Sequence, residues 1–146
     1  MYKVIDPIEE LLFEEYLYLR WLLLRRPLGG KRGTETDHLE NNSFHRAIMD
    51  QENNIFGVGR IHFINNIGQI RYMAIKKEFS RRGCGSTLID SLEKIALDKK
   101  VGKIFLNSRI NSISFYKKNG YEKINKVSPS FGKIVHYRME KILDNR

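Results

Sequence analysis

Arg81-Arg82-Gly83-Cys84-Gly85-Ser86 lies where the hydrophobic pattern of the chain changes period. Upstream, Phe44 to Met49, Ile55 to Ile64 and Gln69 to Ile75 are apolar runs. They are separated by Asp50-Gln51-Glu52-Asn53-Asn54 and Asn65-Asn66-Ile67-Gly68, which predicts three antiparallel strands joined by hairpin turns. Downstream, Leu88, Ile89, Leu92, Ile95 and Ala96 recur at helical spacing, with a stop expected at Gly102. The six residues therefore open a helix directly behind a strand. A helix N-terminus presents unpaired N–H groups and a partial positive charge, two glycines clear side chains from that backbone, and Arg81 and Arg82 add guanidinium donors. Such a turn is a cradle for a diphosphate. Taken alone, Gly-x-Gly ahead of a helix is also the signature of a plain turn. A dinucleotide fingerprint would need glycine where Leu88 stands, and the Gly-Lys-Ser/Thr run of a nucleotide-triphosphate loop is absent.

On the N-terminal side, Asp6-Pro7 followed by Glu9 has the order of an N-cap, a first-turn proline and a first-turn acid. Ile8, Leu11, Leu12, Leu19, Leu22 and Leu23 then predict a helix from Pro7 to Leu24. Pro27-Leu28-Gly29-Gly30 breaks it, and Lys31 to Asp37 reads as a loop with a short helix near His38 to Asn41. On the C-terminal side the pattern predicts a strand from Lys103 to Asn107, a short helix from Ser112 to Asn119 stopped by Gly120, and strands from Tyr121 to Val127 and Ile134 to Lys141. The order is mixed α+β around one sheet. At 146 residues and 41% hydrophobic, the chain is long enough for one core, so a single domain over residues 1–146 is expected.

Residues 1–70 hold 8 Lys and Arg against 10 Asp and Glu, whereas residues 71–146 hold 18 against 7. The surplus favours a polyanionic partner: nucleic acid, an acidic protein or a phosphorylated cofactor. A nucleic-acid module would interleave its arginines with aromatics on one face, but Lys76, Lys77, Lys99, Lys100, Lys117 and Lys118 sit at helix ends and turns, as on a solvated surface. Cys84 is the single cysteine, which excludes an internal disulfide and a thiolate zinc cluster, and no metal is expected. No apolar run approaches the roughly 18 residues of a membrane span. The start MYKVIDPIEE lacks the order of a signal peptide, so a cytoplasmic protein without membrane contact is expected.

A second motif follows the first by about thirty residues: Phe115-Tyr116-Lys117-Lys118-Asn119-Gly120-Tyr121. Phe115 and Tyr121 read as core aromatics of a short helix and its exit. Tyr116 carries a phenol that needs a partner when buried and can donate a proton. Met73-Ala74-Ile75, Phe79, the Arg-Arg-Gly-Cys-Gly-Ser turn and this second motif together resemble the GNAT superfamily of acyl-CoA-dependent N-acyltransferases. The resemblance is specific over residues 69–124.

That resemblance implies a three-layer α/β/α fold with a mixed, mostly antiparallel central sheet splayed at its middle. It implies transfer of an acetyl group from acetyl-CoA to a primary amine by direct attack in a ternary complex. Gly83 and Gly85 match the family's pyrophosphate loop, with backbone donors expected from Arg81, Arg82, Gly83, Cys84, Gly85 and Ser86. Ser80 departs from the Gln or Arg that opens that loop. Met73, Ala74 and Ile75 would pair with the pantetheine arm through their backbone, and Asn107 or Asn111 could bond it. Tyr116 matches the tyrosine near the thioester sulfur and is the catalytic candidate. Arg109 stands where many members carry an asparagine, and Gln69 where protein-lysine acetyltransferases carry a glutamate.

The base for the amine is left open among His62, Glu78, Glu35 and Asp37, or a substrate that arrives deprotonated. Cys84 could support a covalent acetyl-cysteine route, although a small packed residue suits the turn better. Trp21, Tyr16, Tyr18 and His38 are candidates for an acceptor pocket. Relatives often dimerise through strand or helix edges. An acyl-CoA binder without transfer activity and a basic nucleic-acid module are the alternatives.

Overall fold

The alternating segments between residues 44 and 75 form three consecutive strands of a seven-stranded sheet in the computed structural model, which describes residues 2–129 and 133–143. Strands β2 (Phe44–Met49) and β3 (Ile55–Ile64) have the expected bounds. A third, Ile67–Ile75, starts two residues early, because Asn65 and Asn66 alone make the turn, at φ 48° and 66°. Two consecutive residues at positive φ are what a tight two-residue hairpin requires, and asparagine tolerates that region. The later strands are Lys103–Arg109, Glu122–Val127 and His136–Ile142. A three-residue strand, β1 (Lys3–Ile5), lines the outer edge of β2. It is too short to carry a readable period, and only pairing with Ala47 to Met49 makes it a strand. Numbering the strands from β1 in chain order gives β4 (Ile67–Ile75), β5 (Lys103–Arg109), β6 (Glu122–Val127) and β7 (His136–Ile142), arranged β1-β2-β3-β4-β5-β7-β6 across the sheet.

Every adjacent pair is antiparallel except β4 with β5. That parallel pairing spans only Gly68 with Ile104, Gln69 with Phe105 and Ile70 with Leu106. Past it the two strands part. The register of β3 on β4 shifts between Val58 and Arg60, opposite Tyr72, whose φ is 55°. A bulge bends its strand and strengthens the local twist, which turns the end of β4 away from β5. The left-handed backbone at Tyr72 costs about 1–2 kcal/mol.

Helix α1 (Glu10–Leu24) covers one face of the sheet, with Tyr16 and Leu19 packed on Ala47, Met49, Ile55 and Val58. Their strand neighbours Ile48 and Phe56 point the other way, toward Cys84 and Leu88 of α2 (Cys84–Asp98). The largest core lies on that second face. Ile89, Leu92, Ile95 and Ala96 of α2 and Tyr116 of α3 (Ile113–Lys118) meet Ile61, Ile70, Ile104, Leu106 and Met139 there. The three layers and the splayed, mostly antiparallel sheet are those expected.

Two helix ends differ from expectation. Helix α1 begins at Glu10 and not at Pro7: Asp6 pairs with Arg46 at 3.5 Å, Pro7 is buried, and the Glu9 carboxylate accepts from Leu11 N at 3.0 Å as the cap. Helix α2 is closed by Lys100 and not by Gly102. Lys100 sits at φ 59°, its N–H donates to the Leu97 carbonyl, and Val101 N–H donates to the Ala96 carbonyl, the two bonds of a Schellman cap. Lys100→Gly is therefore expected to raise stability by about 0.5–1 kcal/mol by removing the left-handed strain, as read by urea unfolding.

Candidate active site

The turn into α2 has the properties of an anion cradle. Gly83 is the N-cap residue at φ 79°, a Cβ there would meet nothing within 4 Å, no side chain caps the helix, and its first turn holds no acid. The leading N–H groups of a 15-residue helix thus lie open beside exposed Arg81 and Arg82. Arg82 donates to the Tyr2 hydroxyl at 3.3 Å and lies over the Phe79 ring. Gly85 has a different reason to be glycine: a Cβ would come 2.9 Å from the Phe115 ring, so its absence lets α3 pack on the start of α2. Cys84 is 2% exposed within the Ile48, Phe56 and Leu88 cluster, and burial pushes its thiol up, away from the thiolate that a covalent route needs.

A cleft of about 620 Å³ opens where β4 and β5 part. Met73, Ala74, Ile75 and Asn107 line it, together with Tyr116. Asn111 does not: it is exposed in the turn Ile110–Ser112, whose Ser112 reaches the cleft instead. Residues 81–86 lie outside the lining, and exposed Lys77 approaches it from their side. The Tyr116 ring packs edge-on against Phe115 and Tyr121, and its hydroxyl takes no hydrogen bond from the described residues. Burial alone pushes this phenol up to about 12.

The α1 face of the same strands carries a buried charge network that periodicity does not announce. Arg60 and Arg20 are fully buried. Arg60 donates to both Asp37 oxygens, at 2.6 and 3.0 Å, and to Glu40 at 3.1 Å; Arg20 donates to Glu40 at 2.8 Å and to the Glu35 carbonyl at 3.0 Å. Arg71 reaches Asp37 at 3.1 Å. The Tyr72 ring sits among them, with the guanidinium carbons of Arg20, Arg71, Arg60 and Arg25 at 4.2, 4.7, 4.9 and 5.5 Å from its centroid. Cation–π attraction spreads the charge of a cluster that would otherwise repel itself.

Asp37 and His62 of the expected bases belong to this network, and none of the four lines the cleft. Burial would raise the Asp37 carboxyl, but hydrogen bonds from Arg60 and Leu39 N and the charges of Arg60 and Arg71 hold it at about 2. Glu35 is 3% exposed and accepts from Gly33 N at 2.7 Å. His62 is buried, its Nδ1 accepts from Arg60 at 3.1 Å, and burial with the Arg60 charge pushes its pKa down. Glu78 is exposed outside the cleft.

None of Tyr16, Tyr18, Trp21 or His38 lines the cleft. Tyr16 is fully buried, with its hydroxyl 2.9 Å from His45 Nδ1 and from the Gly59 carbonyl; Trp21 donates to the Gly30 carbonyl at 2.8 Å. The end of α1, Leu23 to Arg25, lines the cleft in their place, and so does His136. His136 donates from Nδ1 to the Ile134 carbonyl at 2.8 Å, and burial together with Arg109, Arg25 and Arg71 pushes its pKa down.

A mixed sheet opened at its single parallel pair, with a bare helix N-terminus on one side and a basic cleft on the other, defines an acyl-CoA N-acyltransferase. The acetyltransferase (GNAT) domain family matches residues 33–143, and the chain belongs to that family. It is 31% identical over 107 residues, 73% of this chain and 76% of the relative, to the uncharacterised N-acetyltransferase YjcF of Bacillus subtilis (strain 168). Among solved structures, a GNAT-family acetyltransferase from Staphylococcus aureus Mu50 superposes with a TM-score of 0.78 at 18% identity, covering 99% of this chain and 100% of that one. An aminoglycoside 6'-N-acetyltransferase complexed with coenzyme A superposes with a TM-score of 0.80 at 14% identity, covering 100% and 98%. At such identities the two structures speak for the fold. No helix among the described residues is long and apolar enough to cross a membrane.

Proposed function

We propose that the protein transfers an acetyl group from acetyl-CoA to a primary amine by direct attack, with Tyr116 as the hydrogen-bond donor to the departing sulfur. The opening between β4 and β5, which leads to the Tyr116 phenol, is the observation that carries this reading. The open turn at Gly83 suits the diphosphate, and the backbone of Met73 to Ile75, paired with β3 but not with β5, suits an amide-bearing arm laid along its open side as an added strand. Acetyl-CoA supplies an activated acyl carbon as a thioester. The amine nitrogen bonds to that carbon, the carbon–sulfur bond breaks, and the proton given up by the amine ends on coenzyme A as its thiol.

Tyr116 acts in this step by stabilising charge. A phenol held near 12 facing a thiol of about 8.5 makes full proton transfer uphill by about 5 kcal/mol, whereas a hydrogen bond to the developing thiolate needs no transfer. The expected bases lie outside the cleft lining, so the amine arrives neutral or gives its proton to water in the cleft. His136 is the imidazole of the described lining, and its position was hidden in the sequence by the unremarkable strand around it.

Calorimetric titration with acetyl-CoA, followed by an amine screen for thiol release, tests the reading. Saturable binding with release is expected; binding without release from any amine would make the protein an acyl-CoA binder. Gly83→Asp is expected to weaken acetyl-CoA binding about tenfold relative to Gly83→Asn. Both side chains tolerate the left-handed backbone and differ only in charge, so equal affinities would exclude a diphosphate at this turn.

A further inference from the structure

The charges of the cleft divide between the two faces of the sheet. Ile70, Leu106 and Met139 point into the α2 core, so their neighbours Arg71, Asn107 and Arg109 lie on the α1 face, where Arg109 pairs in register with His136 of β7. The turn at Gly83 opens α2, on the other side. The lining residues among those described include Arg25, Arg71, Arg109, Lys77 and His136, and no aspartate or glutamate. Asp37 approaches from the buried network and is occupied by Arg60 and Arg71. Arg109 is half-buried and forms no side-chain hydrogen bond, ion pair or ring contact with the described residues.

We infer that the acceptor is an amine that itself carries an anionic group, a carboxylate or a phosphate, received by Arg109 and Arg71 on the α1 face of the cleft. This rests on the transferase reading. Arg71 shares Asp37 with Arg60, and Arg109 takes no carboxylate among the described residues, so the cleft keeps a positive charge that repels a cationic acceptor, and a polyamine or a lysine-rich tail meets a barrier. An anion set between two guanidiniums offsets that charge and gains charge-assisted, forked hydrogen bonds. The same contacts orient the amine, since the anionic end is held on one strand pair while the amine faces the opening between β4 and β5. Burial first, and then the charges of Arg71 and Arg109, push the pKa of both Arg25 and His136 down, which agrees with a positive cleft.

The test compares matched acceptors by thiol release at saturating acetyl-CoA: α-amino acids against their carboxamides, and phosphoethanolamine against ethanolamine. The anionic member of at least one pair is expected to show kcat/KM at least about tenfold above its neutral partner, and the pair that does so tells carboxylate from phosphate. Arg109→Gln is expected to shrink that ratio mainly through KM, with its unfolding midpoint close to that of the parent. Neutral members that match or exceed the anionic ones in both pairs, or acetyl-CoA binding with no turnover of any member, would overturn the inference and leave cofactor binding standing. Failure to bind acetyl-CoA in the parallel titration is a separate result, which overturns the transferase reading and this inference with it.

Discussion

Asp37→Ala is expected to lower the unfolding free energy by about 3–5 kcal/mol, a large share of the 5–15 kcal/mol that holds a domain together. Arg60 has no exposed surface, and Asp37 is its bidentate partner at 2.6 and 3.0 Å. Removing the carboxylate leaves a buried guanidinium with Glu40, at 3.1 Å, as its one carboxylate among the described residues beside the neutral acceptor His62, and frees Arg71 from its ion pair. Asp37→Asn keeps one acceptor and should cost less. Urea unfolding monitored by circular dichroism reads both, and a loss below about 1 kcal/mol for Asp37→Ala would mean that the network does not hold the loop to the sheet. The pH dependence has a defined sign. The Asp37 carboxyl is held at about 2 when folded, below its ordinary value of 3.8, so its contribution is fully present above that ordinary value and is lost as pH falls toward 2.

Tyr116→Phe is expected to lower kcat about 10²-fold while leaving acetyl-CoA affinity within about twofold, the size seen when one hydrogen-bond donor to a developing anion is removed. The substitution deletes one oxygen from a ring packed against Phe115 and Tyr121 and breaks no hydrogen bond among the described residues, so stability should hold. The pH profile separates the two roles a phenol can have. A stabilising donor lowers the rate by the same factor across pH, whereas a true proton donor would shift the alkaline limb. Unchanged turnover would take Tyr116 out of the chemistry.

Local pattern accounts for much of the fold. The turns at Asn65-Asn66 and Gly120 and the strands β2 and β3 follow from residue types whose preferences act over a few positions. Tertiary contact overrides them elsewhere. Asp6-Pro7 looks like a helix start, yet Asp6 is taken by Arg46 forty residues away and Glu9 caps α1. Gly85 reads as clearance for a ligand, and the tertiary structure adds a second demand, since a Cβ there would also meet the Phe115 ring.

The site divides in the same way. The sequence by itself determined the family, the uncapped glycine turn and the tyrosine behind it, because each is a short motif whose chemistry travels with its residues. It also determined that the C-terminal half is basic. Only the tertiary structure decided where that charge goes. Arg25, Arg71, Arg109 and His136 come from α1, β4, β5 and β7 and meet because the sheet parts beyond Ile70 and Leu106. The carboxylates nearest the cleft are shared with the interior, where Asp37 serves Arg60 as well as Arg71 and Glu40 serves Arg20 and Arg60. Motifs are local, but the field in a cleft is a sum over residues far apart in the chain, and the fold alone sets the distances in that sum.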